Sequence, residues 1–196
     1  MTTRSATRQT ALHYTDPSIM PIIRPSLESD LPQVAAIYAH HVLYGTGTFE
    51  ITPPDVNEMA QRRQDVLCKG LPYLVLSQQD QILGFAYCNW FKPRPAYRYS
   101  AEDSIYIAPS AIGQGLGTAL LTELCARAEL AGIRTLIAVI GDSENQGSVR
   151  LHQRLGFKPV GTLHGCGWKF ERWLDAVLME KIVGAGITSP PKQGSA

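Results

Sequence analysis

The chain contains no cysteine pair suited to metal or redox chemistry. Its four cysteines, Cys68, Cys88, Cys125 and Cys166, are scattered, with no CxxC or CxxxC spacing. That argues against zinc and against a redox dithiol. Cys88 and Cys125 lie inside apolar patterns and read as small core residues. Reduced thiols fit a cytoplasmic protein. No run approaches the ~18 consecutive apolar residues that a membrane helix needs, so no membrane partner is expected. The start of the chain lacks the apolar stretch of a secretory signal. It is rich in Thr, Ser and Arg, a composition shared with transit peptides, and residues 1–19 read instead as a disordered leader. A charge excess is missing too: 18 basic against 17 acidic residues leave a formal net charge of +1. Without a basic field, nucleic acid is not an expected partner. His40-His41 has no carboxylate cluster beside it and reads as a helix end, not a metal site.

What is present is enough apolar material, 44% of 196 residues, to bury one domain's core. A short apolar run at 19–24, broken by Pro21 and Pro25, predicts a first strand. Leu31, Val34, Ile37, Tyr38 and Val42 recur at helical spacing and predict a helix over 30–44, with Ser29 or Asp30 as its N-cap. A polar helix follows at 55–67. Strands are predicted at 73–77 and 82–91, joined by a turn over 78–81, and a third at 99–108. A helix at 115–130 carries Leu116, Leu120, Leu121, Leu124 and Ala128 on one face and ends at Gly132 as a left-handed cap. A buried strand at 135–140, a short helix at 147–155 and late strands at 157–163 and 168–182 complete the pattern. Residues 184–196 are rich in Gly, Pro and Ser and read as a disordered tail. The order β-α-α-β-β-β-α-β-α-β-β predicts one α/β domain over 20–183, with a mixed sheet and helices on both faces.

The glycine turn between the third strand and its helix, Ile112-Gly-Gln-Gly-Leu-Gly-Thr118, aims free backbone N–H groups at one place, which suits a phosphate-bearing ligand. A dinucleotide fingerprint fails, because the third glycine would fall at Thr118 or Leu120. A Walker A loop fails as well, since no Gly-Lys-Ser/Thr follows. Taken alone, the loop fits either a phosphate site or a plain turn that starts a helix.

The stretch strand, Gln114-Gly-Leu-Gly117, helix, strand, Asn145, Leu151-His-Gln-Arg-Leu-Gly-Phe157 resembles the Gcn5-related N-acetyltransferase (GNAT) superfamily. The superfamily pattern Gln/Arg-x-x-Gly-x-Gly/Ala begins here with Ile112 and keeps its glycines. Thr48-Phe-Glu50 before Pro53-Pro54, Tyr97-Arg-Tyr-Ser-Ala-Glu102, Ala138-Val-Ile-Gly-Asp-Ser143, Leu163 with Gly167, and Trp168-Lys-Phe with Trp173-Leu-Asp175 narrow it further. They resemble the phosphinothricin and methionine sulfoximine acetyltransferases over residues 20–182. The resemblance implies a GNAT-type α/β fold with a mostly antiparallel central sheet.

It also implies a chemistry. Acetyl-CoA would lie against Ile105, Tyr106 and Ile107 of the third strand. Gln114, Gly115, Leu116, Gly117 and Thr118 would hold its diphosphate, with Asn145 and Ser148 beside them. A backbone N–H near Ile105 to Ile107 would meet the oxyanion. Glu102 would be the base. His152, where many superfamily members have a tyrosine, would protonate the thiolate or assist the amine. Phe49, Glu50, Tyr97 and Arg98 would bind the acceptor, Arg98 through the planar fork that suits oxyanions. Trp168 and Lys169 are further candidates for that wall, from this chain or a neighbouring subunit. The expected reaction is direct acetyl transfer, without metal, to the α-amine of phosphinothricin, methionine sulfoximine or methionine sulfone, by a homodimer. The alternatives are another amine acceptor (a protein N-terminus, a polyamine or an aminoglycoside) and a non-catalytic acyl-CoA-binding module.

Overall fold

The computed structural model describes residues 20–191, so the expected leader lies outside the described residues. The strands are β1 (Ile22–Pro25), β2 (Tyr73–Gln78), β3 (Gln81–Trp90), β4 (Ser100–Ile107), β5 (Thr135–Gly141), β6 (Lys158–Lys169) and β7 (Arg172–Ile182). The helices are α1 (Leu31–Tyr44), α2 (Val56–Cys68), α3 (Leu116–Leu130) and α4 (Gln146–Arg154). This is the element order expected from the sequence, an α/β fold around one seven-stranded sheet ordered β1-β2-β3-β4-β5-β7-β6. Every neighbouring pair is antiparallel except β4 and β5. Among the described residues no helix is long and apolar enough to cross a membrane.

Successive side chains of a strand face opposite ways, and β4 shows what covers each face. The Tyr106 ring packs edge-on against Tyr38 of α1, whereas its neighbour Ile107 lies close beneath Gly117 of α3. Helices α1 and α3 therefore sit on opposite faces of the sheet. On α3, Leu120, Leu121 and Leu124 are fully buried at the expected helical spacing. Each such burial contributes about 1.5–3 kcal/mol relative to exposure.

The feature that positions the site is the parallel pair. Strands β4 and β5 pair from Ser100–Thr135 to Asp103–Ala138 and then stop, although β4 runs on to Ile107 and β5 to Gly141. Beyond Asp103 and Ala138 the two strands part, and each turns an unpaired backbone edge toward the other.

Three local details differ from expectation. Neither Ser29 nor Asp30 caps α1 with its side chain. The Asp30 carboxylate is instead taken by Arg24, at 2.7 and 2.8 Å, and by the Leu27 N–H at 2.7 Å. The break predicted between Leu163 and Trp168 is a bulge within β6, where the Asp175 carboxylate of β7 accepts the Gly165 N–H at 2.9 Å. The hairpin actually turns at Phe170-Glu171, both left-handed with φ of 51° and 57°, the geometry of a type I′ turn. Finally, the chain past Val183, expected as tail, begins with a turn. Its Gly186 carbonyl accepts from Arg134 Nη1 at 3.1 Å.

Candidate active site

The parting of β4 and β5 opens a cleft of about 1080 Å³. Among its lining residues are Phe49, Glu50, Glu102, Ile105, Tyr106, Ile107, Gly115, Leu116, Gly117, Thr118, Asn145, Ser148 and His152. The structure thus brings together most of the residues singled out in the sequence. Three stand apart. Gln114 does not line the cleft, and its side-chain amide donates to the Ser110 carbonyl at 3.1 Å. Tyr97 and Arg98 lie on the turn between β3 and β4. Tyr97 packs edge-on against Phe91, and the Arg98 guanidinium stacks on the Tyr99 ring, 4.6 Å from its centroid. Neither residue lines the cleft of this chain.

The glycine loop has the geometry of an anion cradle. Gly113 and Gly115 take φ of 85° and 76°, a left-handed backbone that a side chain would strain. That turn feeds α3, whose Leu116 and Gly117 N–H groups have no carbonyl one turn earlier to accept them, whereas the Thr118 N–H donates to the Gly115 carbonyl at 3.1 Å. Across the cleft Asn145 caps α4, its Oδ1 accepting the Ser148 N–H at 3.3 Å.

On the α1 side, a polar cluster surrounds Glu50. Arg62 of α2 grips its carboxylate through two bonds, at 2.6 and 3.2 Å, and the Tyr38 hydroxyl donates to it at 2.8 Å. The Tyr38 pKa is pushed up to about 12, first by burial and then by the Glu50 carboxylate, against a bond to Thr48. Tyr38 therefore stays a donor at neutral pH. Glu102 lines this cleft and is partly buried. Burial, then the charge of Asp103, lifts its carboxyl above the usual range, against a smaller pull from Lys92. His41 bridges from α1 to the end of β4, with Nε2–H donating to the Ile107 carbonyl at 2.9 Å.

His152 is 2% exposed. Its Nε2 lies 2.9 Å from Asp103 Oδ2 and its Nδ1 2.8 Å from the Ser148 carbonyl. Burial pulls the imidazole pKa down, but the bond and charge of Asp103, with the Ser148 carbonyl, outweigh it and hold the pKa above the ordinary value.

Lys169 is not an acceptor-wall residue but a buried clamp. Its Nζ donates to the carbonyls of Gly45 and Thr48, both at 2.8 Å, and so ties the β6–β7 hairpin to the loop that carries Phe49 and Glu50. Trp168, by contrast, is 57% exposed. The same loop lies directly on glycine backbone. A Cβ on Gly141 would run into the Thr46 carbonyl oxygen and sit 3.0 Å from the Phe49 ring. Gly141→Ala is accordingly expected to destabilise the protein by about 1–3 kcal/mol through overpacking, read as a lower urea midpoint at unchanged m-value.

Asp103, Arg62 and Lys169 are the residues that sequence reasoning missed or misplaced. Asp103 had a signal, a carboxylate at an inward position of an alternating strand. The others act through partners far away in the chain.

A model of the acetyltransferase (GNAT) family matches residues 34–157. A phosphinothricin N-acetyltransferase from Alcaligenes faecalis is 50% identical over 170 residues, covering 87% of this chain and 86% of that protein. An L-methionine sulfoximine/L-methionine sulfone acetyltransferase from Pseudomonas aeruginosa is 35% identical over 159 residues, 81% of this chain and 92% of its own. Among solved structures, a phosphinothricin acetyltransferase from Sinorhizobium meliloti in complex with acetyl-CoA superposes with a TM-score of 0.86 at 39% identity, covering 89% of this chain and 94% of that one. Sequence and backbone agree with the split-sheet cleft, and the chain belongs to the GNAT acetyltransferase family.

Proposed function

We propose that this protein moves the acetyl group of acetyl-CoA directly onto the α-amine of a small amino-acid-like acceptor. The acceptor class is that of phosphinothricin, methionine sulfoximine and methionine sulfone. The observation that carries the proposal is one cleft holding both the amide turn at Gly115 and the carboxylate of Glu102. The names of the relatives support the acceptor class.

Acetyl-CoA supplies an acyl group already activated as a thioester. The chain does the rest. The amides from Gln114 to Gly117, with Thr118 beside them, hold the diphosphate at the start of α3. The open edge of β4 at Ile105 to Ile107 offers backbone groups to the pantetheine arm and an N–H to the thioester oxygen as charge builds there. Asn145 and Ser148 flank the arm from α4. Glu102 takes the ammonium proton, directly or through a water, because only the neutral amine attacks. Phe49 and Glu50 line the acceptor side, with Arg62 and Tyr38 fixing the Glu50 carboxylate.

We also place the protein in the cytoplasm as a homodimer. Cys68 and Cys166 are free and exposed, which fits a reducing compartment. The outermost strand β6 and its hairpin expose Leu163, Trp168, Phe170 and Trp173, an apolar edge suited to a second copy. Sedimentation should give twice the chain mass.

The test is a thiol-release assay with acetyl-CoA across amino-acid analogues, polyamines, aminoglycosides and peptides. The highest kcat/KM is expected for the sulfoximine, sulfone and phosphinate amino acids. A better polyamine or peptide would overturn the acceptor class. Binding of acetyl-CoA with no thiol released by any acceptor would leave an acyl-CoA-binding module.

A further inference from the structure

The buried pair of Asp103 and His152 has no part in the scheme above. Asp103 follows Glu102 on β4 and so points to the opposite face of the sheet, toward α4. We infer that Asp103 is a positioning residue that holds His152 as an imidazolium with both ring N–H groups committed. His152 then lines the acetyl-transfer cleft as one half of a neutral ion pair and offers it no mobile proton.

The hydrogen-bond partners dictate this. The Ser148 carbonyl can only accept, so Nδ1, 2.8 Å away, carries a hydrogen. Asp103 Oδ2, 2.9 Å from Nε2, is placed to accept the second ring hydrogen. The two side chains are only 3% and 1% exposed, and the Phe157 ring stands edge-on at 4.9 Å. The imidazole therefore cannot swing toward another partner. Asp103 Oδ1 is buried with no hydrogen-bond partner among the described residues, which leaves His152 alone to compensate this carboxylate.

The other titratable groups facing the pair do not replace either member. Cys88 lies across from Asp103 on β3, and its thiol is held neutral by burial and then by Asp103 itself. Cys125 of α3 is pushed up to about 11, chiefly by burial. Lys181 of β7 lies over the Phe157 ring, 5.9 Å from its centroid, and acts on the Cys125 thiol, whose pKa it lowers against burial. Glu102 on the same strand feels the charge of Asp103 as repulsion. A thiolate leaving in the cleft would thus meet an ion pair whose ring protons are both committed, and must take its proton from the amine or from water.

The inference rests on the acetyltransferase reading, but its test reads the ring itself. Nitrogen NMR of the full chain labelled in histidine, with the His152 signal assigned by its loss in His152→Gln, reports the protonation of each ring nitrogen. Both nitrogens are expected to be protonated from about pH 6 through neutrality. In Asp103→Asn the ring should bind its proton at least about tenfold more weakly, a shift of one pH unit or more. A parent ring with one bare nitrogen at neutral pH overturns the inference, and so does an Asp103→Asn titration that superimposes on the parent's. Should Asp103→Asn fail to fold, the parent spectrum alone decides. A failed acceptor panel leaves the ring result standing, so the two failures are distinguishable.

Discussion

Glu102→Gln is expected to lower kcat by about 10²–10⁴-fold, the usual loss when a general base is removed. Affinity for acetyl-CoA should stay close to that of the parent, because the glycine turn and the β4 edge are untouched. The expectation rests on place and charge. Glu102 lies on the cleft wall where β4 still pairs with β5, one residue before the strands part. Burial and then the neighbouring Asp103 raise its pKa, with Lys92 opposing. A raised pKa makes a carboxylate a stronger base, and the active form is the ionised one. The rate should therefore rise with pH through a value above the usual carboxylate range, and that limb should be missing in Glu102→Gln. Stability moves the other way. The folded state holds this proton more tightly than the unfolded chain, so the contribution is present at low pH and is lost as pH rises through the folded pKa. Glu102→Gln should be at least as stable as the parent at neutral pH. A variant within about threefold of the parent's kcat, with the acid limb intact, would remove Glu102 from the role.

Much of the fold was legible because it is written in local periodicity. The apolar spacing of α1 and α3 and the positions of Gly113 and Gly115 located their elements nearly to the residue. The hairpin of β6 and β7 was misplaced for a physical reason. Gly165 and Gly167 look like turn residues, yet Asp175 across the strand accepts the Gly165 N–H and stabilises a bulge there. The true turn uses Phe170-Glu171, two residues with no turn signature, held in left-handed conformations. The site divides in the same way. Glycine turn, Glu102 and His152 were recoverable from spacing and resemblance. The supports of the site were not, because each is a long-range pairing: Arg62 with Glu50, and Lys169 with carbonyls more than 120 residues away. Tyr97 and Arg98, picked from the same motif as Glu102, do not line the cleft of this chain, and their side chains contact the neighbouring rings of Phe91 and Tyr99.

The largest loss of stability is expected from His152→Leu. The leucine roughly fills the ring's space but leaves the Asp103 carboxylate buried with no hydrogen-bond partner among the described residues, since Oδ1 already has none there. Stranding one member of a buried ion pair costs about 3–5 kcal/mol. The double variant Asp103→Asn/His152→Leu removes the stranded charge as well, so it should be more stable than His152→Leu alone. That ordering separates charge from packing, because a pure cavity effect would make the double variant no better than the single. The pH dependence supplies a second reading. His152 has its pKa raised in the folded state, despite burial, by Asp103 and the Ser148 carbonyl. Its contribution is therefore complete below the unfolded imidazole pKa, about 6.5, and fades as pH rises through the higher folded value. Urea unfolding of the parent should show this decline on the alkaline side, and His152→Leu should lack it. Equal unfolding free energies for the single and double variants, or a deficit independent of pH, would show that the pair contributes through shape and not through charge.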